Sequence, residues 1–504
     1  MLFNSYTFLV FFIVVLILHN LPFSWKQKKI NLLIASYVFY AAWNPPFILL
    51  LWLSTLVDFF VGRALYTQEN KYKKKLLLVV SLIGNLGMLC FFKYGGFILE
   101  NFTQLVNALG ANYHPAKPNI ILPAGISFYT FTTLCYTIDM YRKESKPVKT
   151  ILDFSLFVTF FPHLVAGPIV RPPQLVPQFE TPRKASTQQL IQGLFLLSLG
   201  LFMKVFLADG MLSKAANTVF NSQDVLKTMD AWMGVLAFSG QIFFDFAGYS
   251  SCAIGAALCL GFVLPQNFLF PYAAVGFTDF WRRWHITLSS WLRDYLYIPL
   301  GGNRHGKIRT YFNLMVTMLL GGLWHGANWT FVVWGALHGF YLWVEKAYRD
   351  MRSRKAGKPV LATAEYIKSS LAPIGHNPVE GSFPPEKNHP KNLNNFFLAL
   401  CTFFLINVTW VFFRAPDFTS AWRLLHSMFV RNTTGTALLS WLDIFKVSLI
   451  MVCLVIAHWL MRNTMVLKVA GKMPWWLLGA VWALMLLLIC LSQNATSSFI
   501  YFQF

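Results

Sequence analysis

The sequence predicts an all-α polytopic membrane protein, and three observations carry that reading. Of its 504 residues, 56% are hydrophobic and only 12% are charged, about half the charged share of an ordinary soluble domain. Mean hydropathy is +0.51, and apolar runs recur along the whole length, where one crossing needs about 20 apolar residues. Aromatics reach 17%, with 49 Phe and 18 Trp, as expected of side chains that face lipid or its interface. The net charge of +22 sits in short loops between apolar runs. This is the positive-inside pattern and not a nucleic-acid stripe, so the expected partner is the lipid bilayer and no nucleic acid.

Apolar segments fall near 5–23, 30–43, 46–66, 76–93, 118–140, 150–170, 187–208, 230–262, 311–325, 328–347, 395–413, 441–461 and 474–493. With short re-entrant or interfacial helices counted, about 11–13 membrane-embedded helices around a central cavity are expected. The first segment lacks a basic leader and a small-residue cleavage site, so it reads as an uncleaved helix. Lys26, Lys28 and Lys29 follow it, Lys71 to Lys75 form a second basic cluster, Arg142 to Lys149 a third, and Arg462, Lys468 and Lys472 a last. All four are expected in the cytoplasm, with both termini on the outer face. A proline-rich polar stretch divides the chain into a catalytic core over 1–348, a flexible loop over 349–394 and C-terminal helices over 395–504. The seven cysteines lie in apolar sequence without CxxC spacing, so they read as buried hydrophobes, with no metal or disulfide framework expected. No internal repeat of the inverted-transporter kind is evident.

Between Phe244 and His338 an unusual set of ionisable residues stands in apolar sequence: Asp245, Asp279, Arg282, Arg283, His285, Arg293, Asp294, His325 and His338. A histidine at membrane depth is unfavourable and marks chemistry, and imidazole is the side chain suited to moving a proton near neutral pH. His285 ends Trp281-Arg-Arg-Trp-His285, and His325 lies in Gly321-Gly-Leu-Trp-His325-Gly-Ala-Asn328. Residues 277–300, rich in Trp281, Trp284 and Trp291, suit a re-entrant or interfacial helix pair. Gly321, Gly322 and Gly326 weaken regular helix beside His325 and permit close backbone approach. His338 follows His325 by thirteen residues, about 20 Å along a continuous helix, which puts it outside the same site unless the helix breaks. It reads as a packing histidine bonded to a backbone carbonyl. The charges around Arg282 and Asp294 also fit a solvated interfacial face. No third ligand stands at zinc spacing and no G-x-S-x-G elbow occurs.

Five motifs carry a resemblance: Pro123-Ala-Gly-Ile-Ser-Phe128, Phe161-Pro-His-Leu-Val-Ala-Gly-Pro168, Asp245-Phe-Ala-Gly-Tyr-Ser250, Trp281-Arg-Arg-Trp-His285 continuing to Gly302-Asn-Arg304, and Leu323-Trp-His-Gly-Ala-Asn328. Together they resemble the membrane-bound O-acyltransferase family, in the branch holding the alginate O-acetyltransferase membrane subunit and its peptidoglycan and cellulose acetylation relatives. The resemblance covers the chain except for about 355–393. It implies that His325 is the catalytic histidine and His285 the second functional position, orienting the donor or stabilising an oxyanion. Trp281, Arg282, Trp284, Trp324 and Asn328, from the same motifs, are candidate substrate-binding residues. The chain closes with Phe499-Ile-Tyr-Phe-Gln-Phe504 after a stretch without charge from Lys472 onward. This is similar to a Phe-x-Tyr-Phe-x-Phe tail of such acyltransferase systems and makes Tyr501 a candidate acyl carrier, with an interfacial aromatic anchor as the other reading.

The function so implied is transfer of an acetyl group from a cytoplasmic thioester across a bacterial cytoplasmic membrane to an exported or cell-wall polysaccharide. No bound cofactor is expected. Acetyl-CoA is the expected donor substrate, and a periplasmic or extracellular SGNH-type acetyltransferase is the expected partner. D-Alanyl transfer to teichoic acid is the alternative within the class. A transporter or flippase, or a scaffold for a secreted modifying enzyme, are the alternatives outside it. The charge distribution predicts that reporters fused near Lys71 and Lys468 read out in the cytoplasm and one after Phe504 outside. A cytoplasmic reading for the last would exclude the relay.

Overall fold

The computed structural model describes residues 1–116, 118–355, 392–430, 434–492 and 499–500, with backbone alone at 353–355. Among these the chain is helical, with one isolated parallel bridge between Leu226 and Thr436 and no strand. Six helical stretches are long and apolar enough to cross a membrane: Pro45–Thr67, Lys71–Ala108, Thr187–Phe220, Thr228–Cys259, Leu393–Arg414 and Trp441–Met461. Tyr6–Asn20 and Trp475–Leu491 are shorter apolar helices.

In chain order the α-helices are α1 (Tyr6–Asn20), α2 (Trp25–Ala41), α3 (Ile48–Thr67), α4 (Lys71–Leu89), α5 (Gly95–Ala108), α6 (Ile126–Arg142), α7 (Ile151–Thr159), α8 (Phe161–Leu164), α9 (Pro172–Glu180), α10 (Thr187–Leu201), α11 (Ser213–Phe220) and α12 (Thr228–Cys259). They continue as α13 (Phe277–Trp281), α14 (Ile286–Leu292), α15 (Gly306–His325), α16 (Trp329–Lys355), α17 (Leu393–Arg414), α18 (Phe418–Phe429), α19 (Trp441–Met461), α20 (Val466–Ala470) and α21 (Trp475–Leu491). Three expectations need correction. The apolar run 150–170 is not one helix, because Pro162 follows Phe160 and Phe161 and the chain breaks into α7 and α8; proline cannot donate into a helix interior. Helix α6 begins only at Ile126, after Gly125 at φ +73°. Helix α16 continues to Lys355, past residue 349, where the polar loop was placed.

Helix α12 is the mast of the molecule. Its 32 residues span about 48 Å, and nearly all of its apolar length is buried by other helices. It lies against α10, α11, α17, α18 and α19. Closest is α10, where glycines seven apart face each other. A Cβ on Gly200 would stand 2.4 Å from the Gly248 carbonyl oxygen, and one on Gly255 would stand 2.6 Å from that of Gly193. In lipid no hydrophobic drive separates helix from solvent, so backbones held this close gain their association from dispersion.

One set of polar groups within the bundle pairs with itself, as a medium without water favours. Between α3, α4 and α6, Asp58 Oδ1 accepts from Ser81 Oγ at 2.6 Å and Oδ2 from Asn85 Nδ2 at 2.8 Å. Ser54 and Thr133 donate to Asn85 Oδ1 at 2.9 and 3.0 Å. The C-terminal helices are tied back by Trp232 Nε1 donating to Met428 O and by Arg462 pairing with Asp279.

Gly200→Ala should lower the unfolding temperature in detergent, since overpacking against a backbone oxygen costs about 1–3 kcal/mol. Gly84→Ala, whose Cβ would meet nothing within 4 Å, should hold or raise it. Equal behaviour of the two would remove the close α10–α12 contact from the fold's stability.

Candidate active site

His285 stands at the junction of two short helices. The chain enters through α13, whose first N–H groups, on Phe277 and Thr278, donate to Glu345 Oε2 of α16 at 2.7 and 2.9 Å. Asp279 then takes Arg283 Nε on Oδ1 at 2.8 Å and Arg462 on Oδ2, so these charges pin the segment to the end of α19. Backbone bonds Leu269 N to Arg283 O and Ile286 N to Asn267 O, each 2.9 Å, lay residues 267–269 alongside 283–286. His285 takes φ +43° at the N-terminus of α14, a left-handed conformation that a non-glycine residue holds only when its surroundings impose it.

Asn267, fully buried, determines the state of the His285 ring. Its Oδ1 accepts the Thr287 N–H at 3.3 Å and the Thr287 hydroxyl at 2.9 Å. A backbone N–H can only donate, so that atom is the amide oxygen, and His285 Nδ1, 3.2 Å from it, must be the protonated nitrogen. Nε2 is then a bare lone pair, buried without a hydrogen-bond partner among the described residues. In a neutral His285 the free nitrogen is therefore an acceptor. Sequence reading missed Asn267; its position in Pro265-Gln-Asn267, eighteen residues before His285, carries no spacing signal.

His325 is the last residue of α15. The regular helix runs through Gly321 and Gly322, and the break comes only at Gly326. The two earlier glycines serve close packing instead: a Cβ on Gly322 would meet Phe331 O at 2.2 Å, on the first turn of α16. The last carbonyls of α15 are received by a second set of residues that sequence reading did not single out. Lys93 Nζ donates to Trp324 O at 2.6 Å and His325 O at 3.0 Å, and Tyr94 Oη donates to Leu323 O at 2.9 Å. Lys93 and Tyr94 close the wide π-helical turn Cys90–Tyr94 between α4 and α5. An ammonium at a helix C-terminus meets the negative end of its dipole.

The indole of Trp324 joins the two histidines, its ring 5.9 Å from that of His285 and 4.9 Å from that of His325. His325 also meets Trp334 at 5.1 Å and Phe413 at 5.2 Å, edge-on. His338 was expected to stand apart. The break at Gly326 lets α16 double back on α15, and the Trp334 ring lies 4.7 Å from that of His338. His338 Nε2 is 3.1 Å from Thr409 Oγ1, whose proton goes to Ile406 O, so the hydroxyl oxygen accepts from His338. Its partner is thus a side chain and not the backbone carbonyl expected. The indole N–H groups of Trp281, Trp324 and Trp334 are buried without a hydrogen-bond partner among the described residues, and such groups in a native interior call for an explanation.

The remaining candidates sort by surroundings. Trp284 is packed between Phe268, Phe280 and Trp410 and supports the site from behind. Asn328 has both side-chain ends engaged by the chain itself, Oδ1 by Thr330 N at 3.0 Å and Nδ2 on Pro416 O at 2.8 Å, and it caps α16. Arg282 is half-buried where α13 ends. Burial acts to raise the Asp294 carboxyl, but Arg293 and Arg171 overcome this and hold it below its ordinary range, so this cluster is ion-paired. Tyr501 lies outside the described residues. Its neighbours do not: Phe499 and Ile500 are buried, and the Phe499 ring is 4.7 Å from Tyr249 and 5.7 Å from Phe246, which itself meets His285 edge-on at 4.6 Å. Among the described residues no cluster of three His, Cys, Asp or Glu side chains is placed to hold a metal ion.

The chain matches known proteins over most of its length. A family model, membrane-bound O-acyltransferase, matches residues 5–369. The chain is 38% identical over 434 residues to the probable alginate O-acetylase AlgI of Pseudomonas aeruginosa, covering 86% of this chain and 76% of the relative. It is 38% identical over 439 residues to the peptidoglycan O-acetyltransferase of Helicobacter pylori, covering 82% and 76%. The teichoic acid D-alanyltransferase of Streptococcus thermophilus is 30% identical over 277 residues, covering 51% and 66%. Two histidines joined by one tryptophan, in a multi-pass helical membrane protein, thus belong to a chain that is a member of the membrane-bound O-acyltransferase family and an acyltransferase.

Proposed function

We propose that the protein O-acetylates an exported or cell-wall polysaccharide, drawing the acetyl group from a cytoplasmic thioester, acetyl-CoA, across the bacterial cytoplasmic membrane. The observation that carries this reading is the pair His285 and His325, both against the Trp324 ring and buried in an aromatic enclosure. The relatives named for alginate and peptidoglycan acetylation support the acetyl group and a polysaccharide acceptor. The D-alanyl alternative draws on a match to only half of this chain. Family membership as an acyltransferase sets the transporter and scaffold readings aside.

In this reading His325 is the general base. It takes the proton of the Tyr501 hydroxyl as the phenolic oxygen attacks the thioester carbonyl; the carbon–sulfur bond breaks, and the departing thiolate takes that proton, leaving the acetyl ester of Tyr501. A phenol, with a pKa of about 10, yields its proton to imidazole far more readily than a sugar hydroxyl. The indole N–H of Trp324 is the donor available to the developing oxyanion, and the Nε2 lone pair of His285 is a second proton acceptor. Onward transfer from aryl ester to alkyl ester runs downhill, with an SGNH-type acetyltransferase outside the membrane as the partner that completes it.

His325→Ala should reduce polysaccharide acetylation by about 10²–10⁴-fold, the range of general-base catalysis, at normal protein level. His285→Ala should be severe and His338→Ala milder. Mass spectrometry should find one acetyl group on the C-terminal peptide after incubation with labelled acetyl-CoA, absent in His325→Ala and in Tyr501→Phe. Full activity of Tyr501→Phe would return the tail to an anchor. Asn267→Leu leaves His285 Nδ1–H unpaired, at about 1–3 kcal/mol, so turnover should fall by roughly one to two orders of magnitude. An active Asn267→Leu would separate the His285 tautomer from the reaction.

A further inference from the structure

A second polar assembly lies on α12. Lys204 Nζ is 2.6 Å from Asp245 Oδ1 and 3.1 Å from Asp209 Oδ1, and all three side chains are buried. Lys204 and Asp209 belong to the π-helical stretch Phe202–Leu212, where the i to i+5 repeat brings residues five apart onto one face. One ammonium bridges the two carboxylates, and a buried ion pair is stable only when its remaining lone pairs also find donors. Asp245 has such a donor on its other oxygen. Oδ2 accepts the backbone N–H of Ile500 at 2.7 Å, from a residue 255 positions along the chain. The neighbouring Phe499 ring rests on Tyr249 and Phe246, four residues and one residue beyond Asp245 on the same helix.

We propose that Asp245, oriented by Lys204, is a positioning residue that docks the C-terminal tail and sets the register at which Tyr501 is presented. The proposal rests on the carrier reading for its purpose but not for the docking itself. Burial of aromatic rings alone would hold the tail without specifying register, since phenylalanines at 499, 502 and 504 are interchangeable in an apolar groove. A charge-assisted hydrogen bond to one amide is directional and selects a single alignment. A slip of one residue moves every following side chain by about 3.5 Å, enough to take a phenol out of reach of a base. The bonded amide is that of the residue immediately before Tyr501.

The test uses the full-length protein in detergent. Hydrogen exchange read by mass spectrometry should show the C-terminal peptide exchanging at least tenfold faster in Asp245→Leu, with α10 and α12 still protected. Asp245→Leu with Lys204→Met and Asp209→Leu, which leaves neither an ammonium nor a carboxylate stranded, should do the same if the single variant folds poorly. Ile500→Pro removes the N–H and leaves the ion pairs in place, and Ile500→Ala, which loses the buried side chain but keeps the N–H, is its control. Ile500→Pro should lower the rate of acetyl transfer at least tenfold with the KM for acetyl-CoA unchanged. Unaltered tail exchange in both Asp245 variants would overturn the dock, and full turnover in Ile500→Pro with an acetylated wild-type tail would overturn its role in setting the register. Faster tail exchange in those variants, with no acetyl group found on the wild-type tail, would uphold the dock and overturn the carrier reading instead.

Discussion

A helix inside a bilayer can end only where something other than water receives its last carbonyls, and the centre of this protein is built on one such ending. Helix α15 stops at His325, and Lys93 and Tyr94, from a π-helical turn more than two hundred residues earlier, take up the carbonyls of Leu323, Trp324 and His325. That termination frees Gly326 to turn the chain and lets α16 fold back against α15. Trp334 is thereby brought between His325 and His338.

The buried charges around the site divide by their partners. Asp279 is committed to Arg283 and Arg462, Glu345 to the amides that open α13, and Asp294 to Arg293 and Arg171. Each holds a broken segment of backbone in a medium that penalises broken backbone. The histidines differ. His285 has one nitrogen fixed by Asn267 and presents the other toward the aromatic enclosure, and the left-handed backbone at that residue shows that its orientation is enforced. A ring held in one tautomer, with its lone pair shielded from water, is prepared for proton transfer with little reorganisation.

The sequence by itself determined the class: composition, hydropathy and the placement of lysine and arginine suffice for a helical membrane protein, since those properties follow from the solvent and not from packing. It also carried His285, His325 and their tryptophans, because motifs are contiguous and an ionisable residue in apolar sequence is conspicuous. Only the tertiary structure decided what these residues do to each other. Asn267 controls the His285 tautomer, Lys93 ends α15, and Asp245 meets Ile500, each across a separation that leaves no periodicity to read. Asn328 caps α16, and His338 moved into the enclosure because a turn at Gly326 replaced the continuous helix that a 3.6-residue repeat implies. Local pattern reports which face of an element is apolar; which element that face meets is settled by helix endings and close packing, and those depend on partners far away in the chain.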